Sequence, residues 1–581
     1  MEQYVYEPLK PGEFRLLKFI SPDTRRSVNC TLVTASLGNN VPYACLSYCW
    51  GTSNASERIR IQGQNFAVTP NLKSALLQIQ RRDDVDYLWV DAICINQADN
   101  VEKSVQVDRM GQIYSECSAL LIWLGDADSD TGKTFELIGQ VGHDYANADG
   151  DDFGDIGTRI LNTASAEALG AFSRLQARPY FSRLWIQQEL ALSIDSPSCL
   201  QKQLLCGPFG VPYLHWALVI RILDTCNFET VQYERREALG DAGYRQDVIS
   251  YSWQTAAHET TLAANLWRHT DKECSDPRDR VYALLNISSD VANYDLVPNY
   301  ELDVRQLLCN CAALFIQRDK NINILAACRK GRAIHDSLPS WVPQWYVPTA
   351  YRTQKGLVIN MQQSMVHRFR SGTSQAVHAE VSADLRYLKL RCLLLGVVNS
   401  MATPWIPPTE ETLPEFRDIV NSWADAARAQ HARSFDTRIP QDEAFVRTVL
   451  CDTNYDQVLF DDDYLALFEL WAREGKNLST AAFKDPVYWS KLYLEISVEL
   501  SIKFRRFLCL EGGYMALGPA DTEVDDVVAI PFGSQAPFVF RKAENDCYTL
   551  IGACYVHGVM EGEAFEEPLK GLFKTEDLTI I

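Results

Sequence analysis

The chain has 581 residues, enough for about four domains at roughly 150 residues each. Its hydrophobic share of 47% is ordinary for a globular protein and lets it bury large cores. A formal net charge of −20 argues against nucleic acid and against anionic membrane surfaces as partners, because both need clustered Lys and Arg.

Met1 to Pro8 contains no basic segment and no apolar one, so a secretory signal is not expected. No apolar run approaches the roughly 20 residues that cross a bilayer. Seventeen cysteines without a signal read as reduced, mostly buried thiols of a cytoplasmic protein.

Taken in order, residues 13–35 alternate in places and predict an N-terminal hairpin. Tyr43 to Tyr48 reads as a short buried strand that turns at Gly51. Thr69-Pro70 opens a helix, with Thr69 as the cap and Leu72, Ala75, Leu76 and Ile79 on the apolar face. Tyr87 to Val90 is a second strand. Asp99 or Asn100 caps a second helix with Val107, Met110, Ile113, Tyr114 and Cys117 inward, and Ala119 to Leu124 is a third strand. Strand, helix, strand, helix, strand predicts an α/β fold with a parallel sheet covered on both faces.

Ligands of such sheets sit beyond the carboxyl ends of the strands. Those ends carry Ser47, Tyr48, Trp50 and Gly51, then Asp91, Asn96 and Gln97, then Asp126. Turn and capping chemistry explains Asp91, Asn96 and Asp126 equally well. An acidic, Gly-rich insertion follows at about 127–177, with Phe135, Ile138, Val141 and Tyr145 suggesting one helix. Next comes an apolar helix through Tyr180-Phe181-Ser182-Arg183-Leu184-Trp185-Ile186-Gln187-Gln188-Glu189-Leu190. A carboxylate so placed must be solvated in a cleft, paired, or shifted in pKa, which makes Glu189 the first candidate for chemistry. The same pattern also suits a helix whose polar edge meets water. Gln203 to Cys206 is a candidate fourth strand.

Five blocks carry a resemblance: Tyr43-Ala44-Cys45-Leu46-Ser47-Tyr48-Cys49-Trp50-Gly51, Leu88-Trp89-Val90-Asp91-Ala92-Ile93-Cys94-Ile95-Asn96-Gln97, Met110-Gly111-Gln112-Ile113-Tyr114, Leu121-Ile122-Trp123-Leu124-Gly125 and Arg183-Leu184-Trp185-Ile186-Gln187-Gln188-Glu189. In order and composition they resemble the fungal heterokaryon-incompatibility (HET) domain, departing only at Cys45, inserted before Leu46, and at Thr52. The resemblance implies non-self recognition ending in programmed cell death. It also covers the family's extension, with residues 350–500 the weakest part. The expected organisation is a HET domain over 1–215 and a helical and mixed extension packed on it over 216–410. A helical region over 411–508 and a small β-rich unit over 509–581 complete it.

The order of elements is also similar to the Toll/interleukin-1 receptor (TIR) domain. Leu46-Ser47-Tyr48 matches its first strand turn, and Trp185 with Glu189 matches its tryptophan-to-glutamate helix. In enzymatic TIR domains that glutamate cleaves the nicotinamide–ribose bond of NAD. The resemblance therefore implies Glu189 as the catalytic group and NAD as substrate. Ser47, Tyr48, Trp50, Gly51, Asp91, Asn96, Gln97, Asp126 and Trp185 would bind it, and no tightly held cofactor is expected. The alternative is a non-enzymatic recognition module that works through self-association or an incompatibility partner protein.

Other motifs fail on spacing. Thr131-Gly132-Lys133-Thr134 lacks the first glycine of a phosphate loop. Asp126, Asp128 and Asp130 lack the turn glycine and closing glutamate of a calcium loop. His258-Glu259 lacks the second histidine of a zinc protease, and no structural metal is expected.

Overall fold

The computed structural model describes residues 4–20, 27–39, 41–51, 55–146, 153–194, 199, 201–225, 235, 260–328, 338–345, 369–406, 416–452, 462–474, 494–495, 497–499 and 501–581. By its internal contacts the chain divides into Met1–Asp303 and Val304–Ile581. The first unit thus runs well past residue 215.

In the first unit, Glu13–Phe19 (β1) and Asn29–Ser36 (β2) form the N-terminal hairpin, paired from Glu13 with Ser36 to Phe19 with Cys30. Ala44–Tyr48 (β3) is buried at every position, as expected of a strand covered on both faces. Glu57–Ile61 (β4) and Gln64–Val68 (β5) make a second hairpin. Gln62 and Gly63 both take positive φ there, the geometry that closes a two-residue turn. Tyr87–Trp89 (β6), Ala119–Trp123 (β7), Gln201–Cys206 (β8) and Phe209–Pro212 (β9) complete the sheet, whose order is β5-β4-β2-β1-β6-β3-β7-β8-β9 among the described residues. Its centre, β6-β3-β7-β8, is parallel. Its flanks are mixed: β1 with β2, β1 with β6, β4 with β5 and β8 with β9 pair antiparallel, and short turns join the last two pairs.

Capping fixes the helices where the sequence places them. Pro70–Ile79 (α1) is capped by Thr69, whose Oγ1 accepts from the Leu72 N–H at 3.3 Å, and it buries Leu72, Ala75, Leu76 and Ile79. Asp91–Cys94 (α2) is a single short turn. Asn100–Glu116 (α3) is capped by Asp99, which accepts from the Val101 and Glu102 N–H groups. Helix propensity and tertiary packing agree here, so the pattern was readable.

The insertion holds three helices rather than one: Thr131–Ala146 (α4), Phe153–Thr163 (α5) and Ala166–Gln176 (α6). Phe135, Ile138 and Val141 are buried as expected. Ser165 caps α6, its Oγ accepting from the Ala168 N–H at 3.1 Å.

The expected continuous helix from Tyr180 is broken. Pro179–Ser182 is a 3-10 turn, Arg183 is extended, and the helix proper is Ile186–Ile194 (α7). A distant backbone takes the hydrogen bonds the helix would have used. The Leu184 N–H donates to the Glu273 carbonyl at 2.8 Å, and the Glu273 N–H to the Ser182 carbonyl at 2.6 Å. Tyr213–Thr225 (α8), Leu262–Arg268 (α9) and Asp279–Leu285 (α10) follow, with Pro277 just ahead of α10.

In the second unit, Val304–Gln317 (α11) precedes Ala379–Val381 (β10) and the long strand Leu388–Met401 (β11). Phe416–Ala429 (α12), Gln441–Val449 (α13) and Asp462–Glu474 (α14) supply the helical region. Within the expected helical region over 411–508, residues 475–493 fall outside the described residues. The β strands are Arg505–Leu510 (β12), Met515–Pro519 (β13), Val527–Pro531 (β14), Phe538–Lys542 (β15), Cys547–Ala553 (β16), Tyr555–Val556 (β17) and Lys574–Ile580 (β18). Pairing runs β14-β15-β16-β18-β11 and returns from β11 to β14, so five strands close a ring. Closure leaves these five strands no free edge. The register slips at Gly396, whose φ of 147° lets β11 bend, and its last residues pair with β12 instead. Leu393, Leu395, Val528, Ile530, Val539 and Ile551 belong to one buried core. A second core joins Trp423, Phe445, Phe468 and Trp471 to Phe507 and Tyr555. Trp341 and Trp345 in the aromatic segment 338–345 are buried.

Candidate functional site

Alternation along β3 sends Ser47 and Tyr48 to opposite faces of the sheet. Ser47 faces α7 and is fully buried. Its Oγ donates to Glu189 Oε2 at 2.5 Å and lies 2.7 Å from the Tyr180 hydroxyl. A serine has one proton to give, so with that proton on Glu189 the Tyr180 hydroxyl donates to Ser47. Glu189 itself is 1% exposed.

Arg183 completes the cluster. Its Nη2 lies 3.5 Å from Glu189 Oε1, a long contact, and its charge also acts on Asp91. Burial pushes the Glu189 carboxyl up, while Arg183 and the Ser47 bond pull it back. Asp91 is likewise raised by burial and held back by Arg183. Burial opposes the Arg183 charge, yet Glu189 and Asp91 more than offset this and hold the guanidinium above its ordinary value. One cation therefore serves two carboxylates in a water-poor setting. Burial also drives the Tyr180 phenol well up, so it stays a neutral donor.

The remaining residues sit around this centre with distinct tasks. Asp91 Oδ2 accepts from the exposed Trp50 indole N–H at 2.9 Å, tying the end of β3 to the end of β6, while its Oδ1 accepts from the Ala92 N–H. Gln97 donates to the Asp91 carbonyl, and Asn96 Oδ1 accepts from the Ala98 N–H, so both shape the turn after α2. Gly51 is exposed at φ 77°, a turn conformation that favours glycine. Tyr48 and its register partner Trp123 lie on the α1 face, where Asn71 accepts from Trp123 and donates to the Cys49 carbonyl. Asp126 is on that side too, exposed and bound by Ser74 of α1. The strand ends thus form one rim, but Ser47, Tyr180, Arg183, Glu189 and Asp91 gather on one face of the sheet, and Asp126 lies on the other.

Trp185 sits one helical turn before Glu189, its carbonyl accepting from the Glu189 N–H at 3.1 Å. It stands just ahead of α7, and its indole N–H donates to Asp279 Oδ2 at 3.0 Å. The Tyr300 hydroxyl donates to the other oxygen of Asp279 at 2.6 Å. Asp279 carried no sequence signal, because 94 residues separate it from Trp185. Arg183 did carry one, as the first residue of the block that ends in Glu189.

Burial pushes the Asp279 carboxyl up to about 6, against the pull of the Tyr300 and Trp185 bonds. A folded-state value above the unfolded one of 3.8 gives a stabilising contribution that is present below about 4 and lost as pH rises through about 6. Asp279→Asn is therefore expected to be more stable than wild type at pH 8, by on the order of 3 kcal/mol, with the gap closing by pH 4. Denaturant titrations of both proteins across that range check this.

Gly111 of α3 makes room for the neighbouring side chain of Asn286. A Cβ there would stand 2.7 Å from Asn286 Cγ. Asn286 in turn reaches Gln188 on α7 with a long 3.5 Å contact. Gly111→Ala is expected to cost about 1–3 kcal/mol through this crowding, read as a lowered unfolding midpoint.

Among the described residues no group of three His, Cys, Asp or Glu could hold a metal ion, and no helix is long and apolar enough to cross a membrane.

Residues 43–189 match the family described as Heterokaryon incompatibility protein (HET), and residues 430–573 match the Het-6 beta-barrel domain. The second match spans β12 to β17, while the strands that close the ring, β11 and β18, lie outside it. The chain is similar to a Neurospora crassa protein called Heterokaryon incompatibility protein 6, OR allele, at 24% identity over 92% of this chain and 91% of that protein. No solved structure matches. With its blocks in order over the first match and strands β12 to β17 within the second, the chain is a heterokaryon-incompatibility (HET) domain protein that also carries a Het-6 β-barrel domain.

Proposed function

We propose that this protein is a fungal effector of non-self recognition whose response ends in cell death, and that its HET domain acts by cleaving the nicotinamide–ribose bond of NAD through Glu189. The role is supported by the two family matches and by the similarity to the Neurospora incompatibility protein. The chemistry rests on one observation: Ser47 and Glu189 meet at 2.5 Å near the carboxyl ends of parallel strands, with Arg183 and Asp91 beside them. Such strand ends are where open α/β sheets hold ligands.

In this reading the Glu189 carboxylate accepts from the ribose hydroxyls and stabilises the cationic sugar as the carbon–nitrogen bond breaks. Nicotinamide leaves with the bonding electrons, and water adds to the sugar carbon. Ser47 and Tyr180 orient the carboxylate. Glu189 is 1% exposed, so substrate enters only after α7 and its approach have shifted. The full-length protein at high concentration, incubated with NAD, is expected to release free nicotinamide. No release from folded, concentrated protein overturns the enzymatic reading.

A second reading is a non-enzymatic module that signals through self-association. The burial of Glu189 favours it, because the carboxylate is closed to solvent in this state.

A further inference from the structure

The segment from Glu273 to Tyr300 lies outside the HET match of 43–189, yet it grips the residues that carry the site. It does so at successive points. The Glu273 backbone pairs with Ser182 and Leu184 on either side of Arg183. Asp279 takes the Trp185 indole N–H. Asn286 reaches Gln188, one residue before Glu189. The far end of the segment is itself anchored: the Tyr300 N–H donates to Ser104 Oγ on α3 at 3.0 Å, and the Lys103 ammonium lies 3.8 Å over the Tyr300 ring. A segment tied at both ends restrains what it crosses, and here it crosses the start of α7.

We propose that Glu273–Tyr300 is an internal clasp that holds α7 in its closed position, and that release of Trp185 from Asp279 is the step that exposes Glu189. The clasp sets when the effector acts, and for its chemistry it rests on the NAD-cleaving reading above. The geometry explains three facts together. Helix α7 starts late because Glu273 takes the backbone bonds before it. Trp185, whose carbonyl accepts from the Glu189 N–H, has its indole fixed by a buried acceptor. Asp279 is buried at a cost in stability that a purely structural contact does not need. Opening requires loss of a few polar bonds at the helix start rather than unfolding of the sheet, and local openings of this kind are well below the global stability.

The test uses the full chain in four forms: wild type, Trp185→Phe, Asp279→Ala and Asp279→Asn. Trp185→Phe keeps an aromatic ring while losing the N–H with the rest of the pyrrole ring, so it is the milder lesion. Asp279→Asn keeps an acceptor for Trp185 and serves as the conservative control. Thermal unfolding confirms that each is folded. Amide hydrogen exchange over Ile186–Leu190 and nicotinamide release from NAD are measured on the same samples, with cell viability on expression. Trp185→Phe and Asp279→Ala are expected to raise exchange over Ile186–Leu190 by about tenfold or more. They are also expected to raise nicotinamide release and killing, while Asp279→Asn stays at or below the wild-type level. Unchanged exchange in folded Trp185→Phe overturns the clasp, and so does raised exchange with no gain in killing. If exchange and killing both rise, no nicotinamide appears, and adding Glu189→Gln does not suppress the killing, the clasp stands and the hydrolase reading falls.

Discussion

Glu189→Gln is expected to abolish NAD turnover while leaving the protein folded. The amide keeps the volume of the carboxylate and still accepts from Ser47, whose Oγ is 2.5 Å from Glu189 Oε2. It loses the negative charge that the cationic sugar needs, and losing such a contact commonly costs about two to three orders of magnitude in rate. Substrate affinity should change far less, because the ground state carries no new positive charge at the sugar. The measurement is nicotinamide release by wild type and variant, both concentrated, beside viability after expression. A folded variant that is inert and harmless supports the enzymatic reading. A variant that kills as wild type does removes the carboxylate from the effector step and favours the self-association reading.

Arg183→Met should have the largest effect on stability. Arg183 is the cation that faces both Glu189 and Asp91. Removing one partner of a buried charge cluster leaves the others uncompensated, which typically costs about 3–5 kcal/mol. The pH dependence has a defined sign. The Glu189 carboxyl is already raised by burial, and without Arg183 it rises further. A group whose folded value exceeds its unfolded one contributes most at low pH and loses that contribution as pH rises through the folded value. The deficit of Arg183→Met is therefore expected to be largest at pH 8 and to shrink as the medium is acidified. Adding Glu189→Gln should recover part of it at pH 8, since the uncompensated charge is gone. A deficit that is flat with pH, or additive in the double variant, would mean that Arg183 acts by packing alone.

The sequence by itself determined the elements whose local signals and burial agree. Thr69-Pro70 starts α1 and Asp99 starts α3 because each side chain satisfies free backbone N–H groups at a helix start, wherever that helix lies in the fold. The apolar runs at Ala44–Tyr48 and Ala119–Trp123 declare strands buried on both faces. It also brought Ser47 and Glu189 forward as candidates, since a serine at a strand end and a carboxylate in an apolar helix stand out in one dimension.

Only the tertiary structure decided how those candidates combine. Ser47 and Asp126 sit at ends of neighbouring strands, but which face each side chain takes depends on register, and a shift of one residue would exchange the faces. The start of α7 moved to Ile186 because the Glu273 backbone, far along the chain, competes for the hydrogen bonds around Arg183. Trp185 pairs with Asp279 across 94 residues, and no local pattern encodes a bond of that span. The five-stranded ring likewise depends on β11 meeting β14 and β18, a closure made by backbone hydrogen bonds, which every sequence carries alike.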